Sequence, residues 1–144
     1  PKDLDAQSGA LYGAWMGGIV LGSVGMALHH KLCHTLGGTF NLPHADTHAV
    51  VLPYATAYNI DAAPDAKRRL TAALGSPNVA AALHALGQAV GAPASLKAMG
   101  LTPADLDKAA DLAMQNSYVN PRPLTREGIR QLLEDAYQGI VPRT

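Results

Sequence analysis

The chain has 144 residues, 48% of them hydrophobic, which is enough for one compact domain with a core of its own. Eleven lysines and arginines balance eleven aspartates and glutamates, so the formal net charge is zero. That balance argues against nucleic acid or an anionic membrane as a partner, since both need a basic surface. The single cysteine excludes an intramolecular disulfide and is compatible with a reducing, cytoplasmic setting.

Alanine is abundant, β-branched residues are sparse and aromatics make up only 5%, a bias towards helix over sheet. The opening PKDLDAQSG carries no initiating methionine and no leader, and reads as a piece cut or processed from something longer. Residues 10–28 contain no charge. Their length meets the test for a membrane span, and Gly13/Gly17 and Gly18/Gly22 have the spacing of closely packed helices. The many glycines, the few leucines and isoleucines, and the polar HHKLCH after them favour instead a helix buried at the centre of a soluble bundle. This helix is expected to continue through His34 and to stop at Gly37-Gly38.

A second helix is expected after a short connection, with Asn41 or a neighbour as cap and Pro43 in the first turn. It carries His44 and His48 towards Tyr58, with Pro53 bending or interrupting it. Residues 61–65 form a turn, 66–75 a short helix ended by Gly75, and the apolar run after Pro77 a helix up to about Val90. Residues 95–100 make a short helix or turn closing at Gly100. Thr102, Pro103 and Asp105 mark the start of another helix, whose buried stripe is Leu106, Ala109, Ala110 and Ala113. The prolines of NPRPL hold residues 120–124 extended. Thr125 caps a last helix that ends at Gly139 and turns Ile129, Leu132, Leu133 and Ala136 inward. The fold class read from this is all-α, a helical bundle of six or seven helices, with no internal repeat.

Five of the six histidines lie between 29 and 48. His30 and His34 share one helix face, and His44 and His48 repeat the spacing on the next helix. If the connection folds these helices together, the imidazoles converge, in a donor set that zinc or ferrous iron accepts. No carboxylate accompanies them, since Asp46 lies roughly 100–200° around the helix from His44 and His48. For His29 and His84 the plainer reading is a histidine satisfying a buried carbonyl. Cys33 reads as a buried small apolar residue, because Lys31 lies about 200° away and is badly placed to ionise it. There is no Gly-rich phosphate loop, so the chain carries no dinucleotide-binding fold.

The pattern His30-x-x-x-His34-x-Leu36-Gly37-x-x-x-Asn41-x-Pro43-His44 resembles the signature of the iron-containing (group III) alcohol dehydrogenases. The longer HHKLCHTLGGTFNLPHADTHAVVLP, with DAQSGALYGAWMGG before it and NPRPLTREGIRQLLEDAYQG at the end, resembles the maleylacetate reductase branch of that family. The resemblance implies that residues 1–144 are most of a C-terminal helical domain. An N-terminal nucleotide-binding domain, and a helix bearing an aspartate and a histidine as two metal ligands, would then lie outside this chain. It implies His30 and His44 as the other two ligand positions for Fe2+ or Zn2+, and His34 as the histidine beside the nicotinamide of NADH or NADPH and the substrate. His48 becomes structural. Two positions depart from ordinary alcohol dehydrogenases, which carry glycine at Lys31 and at Ala45.

For the branch that works without metal, the resemblance implies His34 and His44 as proton donors and substrate anchors, and Lys31 as a contact to a dianionic substrate. The activity implied is NAD(P)H-dependent reduction of the carbon–carbon double bond of maleylacetate to 3-oxoadipate, in a cytoplasmic homodimer. A metal-dependent alcohol dehydrogenase and a non-catalytic helical binding module are the alternatives.

Overall fold

The computed structural model describes residues 2–116 and 118–143. Helix α1 (Leu4–Ser23) begins where Asp3 Oδ1 accepts the backbone N–H groups of Asp5 and Ala6 at 3.0 and 3.1 Å, two of the donors a helix start leaves without partners. It ends where the Ser23 hydroxyl donates back to the Ile19 carbonyl at 2.7 Å and Val24 turns extended. Helix α2 (Leu28–Phe40) then leaves at 93° to α1. The expected single helix running through His34 is therefore two, broken across 24–27.

The expected burial of residues 10–28 is also overturned for all but the end of that run: residues 10–26 are exposed, and only Leu28 is buried. No residue of α1 is buried, and Leu11, Trp15 and Val20 are 72%, 60% and 54% exposed. Apolar residues lie all round this helix, so it has no single face to turn inward. None of the other described helices packs against it. Among the described residues, no single helix is long and apolar enough to cross a membrane.

The remaining elements are α3 (His44–Asn59), a 3-10 turn (Ile60–Ala62), α4 (Pro64–Leu74), α5 (Val79–Ala89), α6 (Pro103–Ala113) and α7 (Arg126–Gln138). No strand occurs among the described residues, so the all-α reading holds. α3 is the central element, packed against α2, α5 and α7, while α6 closes the other side against α2 and α7. The core joins Leu28, Leu32 and Leu36 of α2 to Val51 and Tyr54 of α3, Leu106 and Ala109 of α6, and Ile129 and Leu133 of α7. Each fully buried leucine or isoleucine contributes about 1.5–3 kcal/mol. The inward stripes expected for α6 and α7 are all buried.

Three local readings change. α2 does not stop at Gly37-Gly38 but runs to Phe40, because Asn41, not a glycine, takes the left-handed turn at φ 55°. Asn41 therefore ends α2 and does not cap α3, which starts after Pro43 with the Thr47 hydroxyl on the Pro43 carbonyl at 2.7 Å. Pro53 sits buried within α3 without interrupting it.

Candidate active-site histidine cluster

α2 has no side-chain cap of its own at Ala27. Its first N–H, on Leu28, donates instead to Asn120 Oδ1 at 3.3 Å, from a residue 92 positions away. The same Asn120 exchanges amide hydrogen bonds with Asn59 at the end of α3, at 2.7 and 3.0 Å, and donates to the Arg122 carbonyl at 2.6 Å. Both donors and the acceptor oxygen of this one amide are used. Beside Asn59, Tyr58 donates its hydroxyl to the Pro123 carbonyl at 2.8 Å, and the Arg122 guanidinium lies 4.4 Å from the Tyr58 ring centroid. The extended segment 118–124 is thus a strap that pins the start of α2 to the end of α3.

With that corner fixed, five imidazoles come together. Ring centroids of His48 lie 4.3 Å from His44, 4.9 Å from His29 and 5.0 Å from His30. His30 is 6.1 Å from His34, and His34 is 6.3 Å from His44 with the two planes near parallel. The convergence expected from the two four-residue spacings is present. His48 is its hub, with three other imidazole rings beside it. His29 does satisfy a carbonyl, that of His48, at 3.1 Å. His84 does not do so through Nε2, which is buried without a hydrogen-bond partner among the described residues.

No carboxylate is within ion-pair distance of the cluster among the described residues. Burial and the surrounding imidazoles therefore act in one direction. Burial, then the neighbouring His29, His44, His30 and His34, pushes His48 from its ordinary 6.5 to about 4. Burial, then His34 and His44, lowers His30. Burial also lowers His29, against the opposing hydrogen bond to the His48 carbonyl. At neutral pH these three imidazoles are uncharged and keep a lone pair.

His34 and His44 are exposed on the open side of the cluster, and His30 is half-buried behind them. A cavity of about 140 Å³ separates His30 from the C-terminal end of α1, and an apolar cavity of about 250 Å³ lies on its other flank between α3 and α4. Lys31 is half-buried, with Nζ 6.0 Å from the Tyr118 ring centroid and no carboxylate partner among the described residues. Cys33 is buried, and burial raises its thiol to about 12, in line with the reading of an inert small residue at rest. One residue that shapes this corner escaped the sequence: nothing local signals Asn120, whereas His48 is signalled by its spacing from His44.

The family described as "Fe-containing alcohol dehydrogenase family, C-terminal" matches residues 1–137. A maleylacetate reductase of Pseudomonas sp. (strain P51) is 57% identical over 143 residues, which is 99% of this chain and 41% of that protein. The crystal structure of maleylacetate reductase from Rhizobium sp. strain MTP-10005 superposes with a TM-score of 0.92 at 51% identity, covering 99% of this chain and 40% of that one. An iron-containing alcohol dehydrogenase from Corynebacterium glutamicum gives 0.75 at 48% identity, over 82% of this chain and 33% of that one. The chain spans about two fifths of the length of the curated relatives it matches.

Proposed function

Because this chain belongs to the Fe-containing alcohol dehydrogenase family, we propose that it is the helical wall of a reductase active site whose other wall is a separate nucleotide-binding domain. The reaction we assign is reduction of the carbon–carbon double bond of maleylacetate to 3-oxoadipate. The observation that carries this reading is the meeting of His30, His34, His44 and His48 at one corner with no carboxylate among them. Similarity to proteins named maleylacetate reductase over nearly the whole chain supports it.

No strand occurs among the described residues, and the nucleotide site is assigned to the other domain. Bound there, NADH or NADPH would supply a hydride to the alkene carbon β to the substrate ketone. The chain's own residues handle the resulting charge and the proton. Negative charge develops on the ketone oxygen as the enolate forms, and needs a hydrogen-bond donor nearby. His34 and His44, both exposed on the open side, are the groups we assign to that stabilisation and to the proton delivered to the α-carbon. We also assign His34 the place beside the nicotinamide, as the family resemblance implies. Lys31 is cationic and without a carboxylate partner among the described residues, so it is suited to hold one of the substrate's two carboxylates. A homodimer in the cytoplasm is part of the same proposal.

His30 and His44 fit a cation as a partial donor set. They offer two imidazole nitrogens, and open catalytic zinc sites use three protein ligands. These two residues would hold Fe2+ or Zn2+ together with ligands from outside this chain, and the ion would polarise the substrate carbonyl. A metal-dependent alcohol dehydrogenase is the second reading, favoured by the same two imidazoles. The test is direct: the full-length protein, NADH and maleylacetate are mixed and NADH loss is followed. Metal analysis of the same preparation separates the readings, since iron or zinc at one per chain, lost together with activity on chelation, supports the second.

A further inference from the structure

The reduction assigned above leaves three chemistry-bearing residues of this corner unused: His29, Cys33 and His48. His29 and Cys33 are four apart on α2 and so share one face, and His48 reaches them from the second turn of α3. One donor atom from each lies within 4.8 Å of the other two. On a tetrahedral zinc, with bonds of about 2.3 Å to sulfur and 2.0–2.1 Å to nitrogen, neighbouring donors stand about 3.5 Å apart. Side-chain rotation of about an ångström closes that gap.

Two further observations point to a ligand. The Nε2 of His48 is buried and has no hydrogen-bond partner among the described residues, an arrangement that native structures rarely leave unexplained. The Nε2 of His29 is paired with the His48 carbonyl at 3.1 Å. Bonding to a carbonyl makes that nitrogen the protonated one, which leaves Nδ1 with its lone pair; metal-ligating histidines commonly fix their tautomer in this way. Cys33, 1% exposed, brings a soft sulfur, and no carboxylate joins the group.

We propose that His29, Cys33 and His48 form a binding site for one thiophilic cation, Zn2+ by preference, that clasps α2 to α3. Two imidazoles and one thiolate select zinc over magnesium or calcium, which prefer oxygen. Binding replaces the thiol proton: Cys33–SH and Zn2+ give Cys33–S–Zn+ and one H+, with no change of oxidation state. This site shares no ligand with His30 and His44 and does not depend on the reaction proposed above.

The experiment uses Co2+ as a coloured stand-in for zinc. The metal-free protein is titrated with Co2+ while the thiolate-to-cobalt charge-transfer band in the near ultraviolet is followed, and Zn2+ is then added in competition. The expected result is a band that saturates at one Co2+ on this site, is bleached by Zn2+, and releases one proton per ion. It persists in the His30→Ala/His44→Ala double variant, disappears in Cys33→Ser, and weakens about tenfold or more in affinity in His48→Gln. Absence of the band in the folded protein overturns the proposal, as does its loss in the double variant, which would make His30 and His44 ligands of the ion on Cys33. Where Cys33→Ser does not fold, His29→Gln and His48→Gln carry the test, and a band of undiminished affinity in both also overturns it.

Discussion

Asn59 and Asn120 exchange two amide hydrogen bonds, at 3.0 and 2.7 Å, across 61 residues of chain. Through its remaining capacity Asn120 also accepts the first N–H of the histidine-bearing helix α2. Replacing Asn120 by alanine strands the Asn59 amide and the Leu28 N–H in a half-buried corner. The expected loss of stability is about 1–3 kcal/mol, read from chemical denaturation. Asn120→Asp keeps an acceptor for Leu28 but loses both donors, so it is expected to recover only part of that loss.

Gly128 sits at the strap's other anchor. A Cβ placed on it would stand 2.8 Å from Thr125 Oγ1 and 2.9 Å from Tyr58 Cε2. Both neighbours are fixed: Thr125 Oγ1 caps α7 through the Gly128 N–H, and Tyr58 holds Pro123 through its hydroxyl. Gly128→Ala is therefore expected to lower stability by about 1–3 kcal/mol, the usual range for overpacking. A melting temperature equal to that of the unaltered protein would contradict this close packing.

The folded protein holds His48 near 4, whereas the unfolded chain titrates it at the ordinary 6.5. Between those values the unfolded state binds more protons, so stability rises with pH there and falls as pH drops from about 6.5 towards 4. His30 and His29 are lowered too and act in the same direction. Denaturation midpoints measured across this window should fall with acid in the unaltered protein and fall less steeply in His48→Gln.

Lys31 stands within reach of the Tyr118 ring with no acidic partner among the described residues. If it anchors a substrate carboxylate, Lys31→Gln raises KM for maleylacetate about tenfold or more, the scale of a lost charge-assisted hydrogen bond. Its kcat changes far less. Steady-state kinetics on the full-length protein separate the two effects, and a fall in kcat with unchanged KM would remove Lys31 from substrate binding.

Much of this architecture was readable in advance because its signals are local. Thr102 and Asp105 form the expected reciprocal cap, with the Thr102 N–H on Asp105 Oδ2 at 2.9 Å. Thr125 caps α7, and Gly75 and Gly139 take left-handed turns at φ 63° and 70°. The histidine convergence came from two four-residue spacings. Features that depend on distant parts of the chain were not readable. The break at 24–27 and the exposure of α1 contradicted an all-round apolar pattern, which says that a helix wants covering but not what covers it. The stop at Asn41 instead of Gly37-Gly38 shows two glycines held helical by α2's continuation. Asn120 caps a helix 92 residues earlier, and no short window of sequence contains both.

The exposed face of this histidine cluster is where we place the chemistry of an alkene reduction. That assignment is probed most sharply by the rate of maleylacetate-dependent NADH consumption by the full-length protein and by its His34→Ala variant, with circular dichroism to establish that both are folded. Turnover is expected in the first and a fall of about 10²–10⁴-fold in the second, the range for removing a positioned proton donor. An undiminished rate in His34→Ala, or no maleylacetate-dependent oxidation of NADH or NADPH by the intact protein, would contradict it.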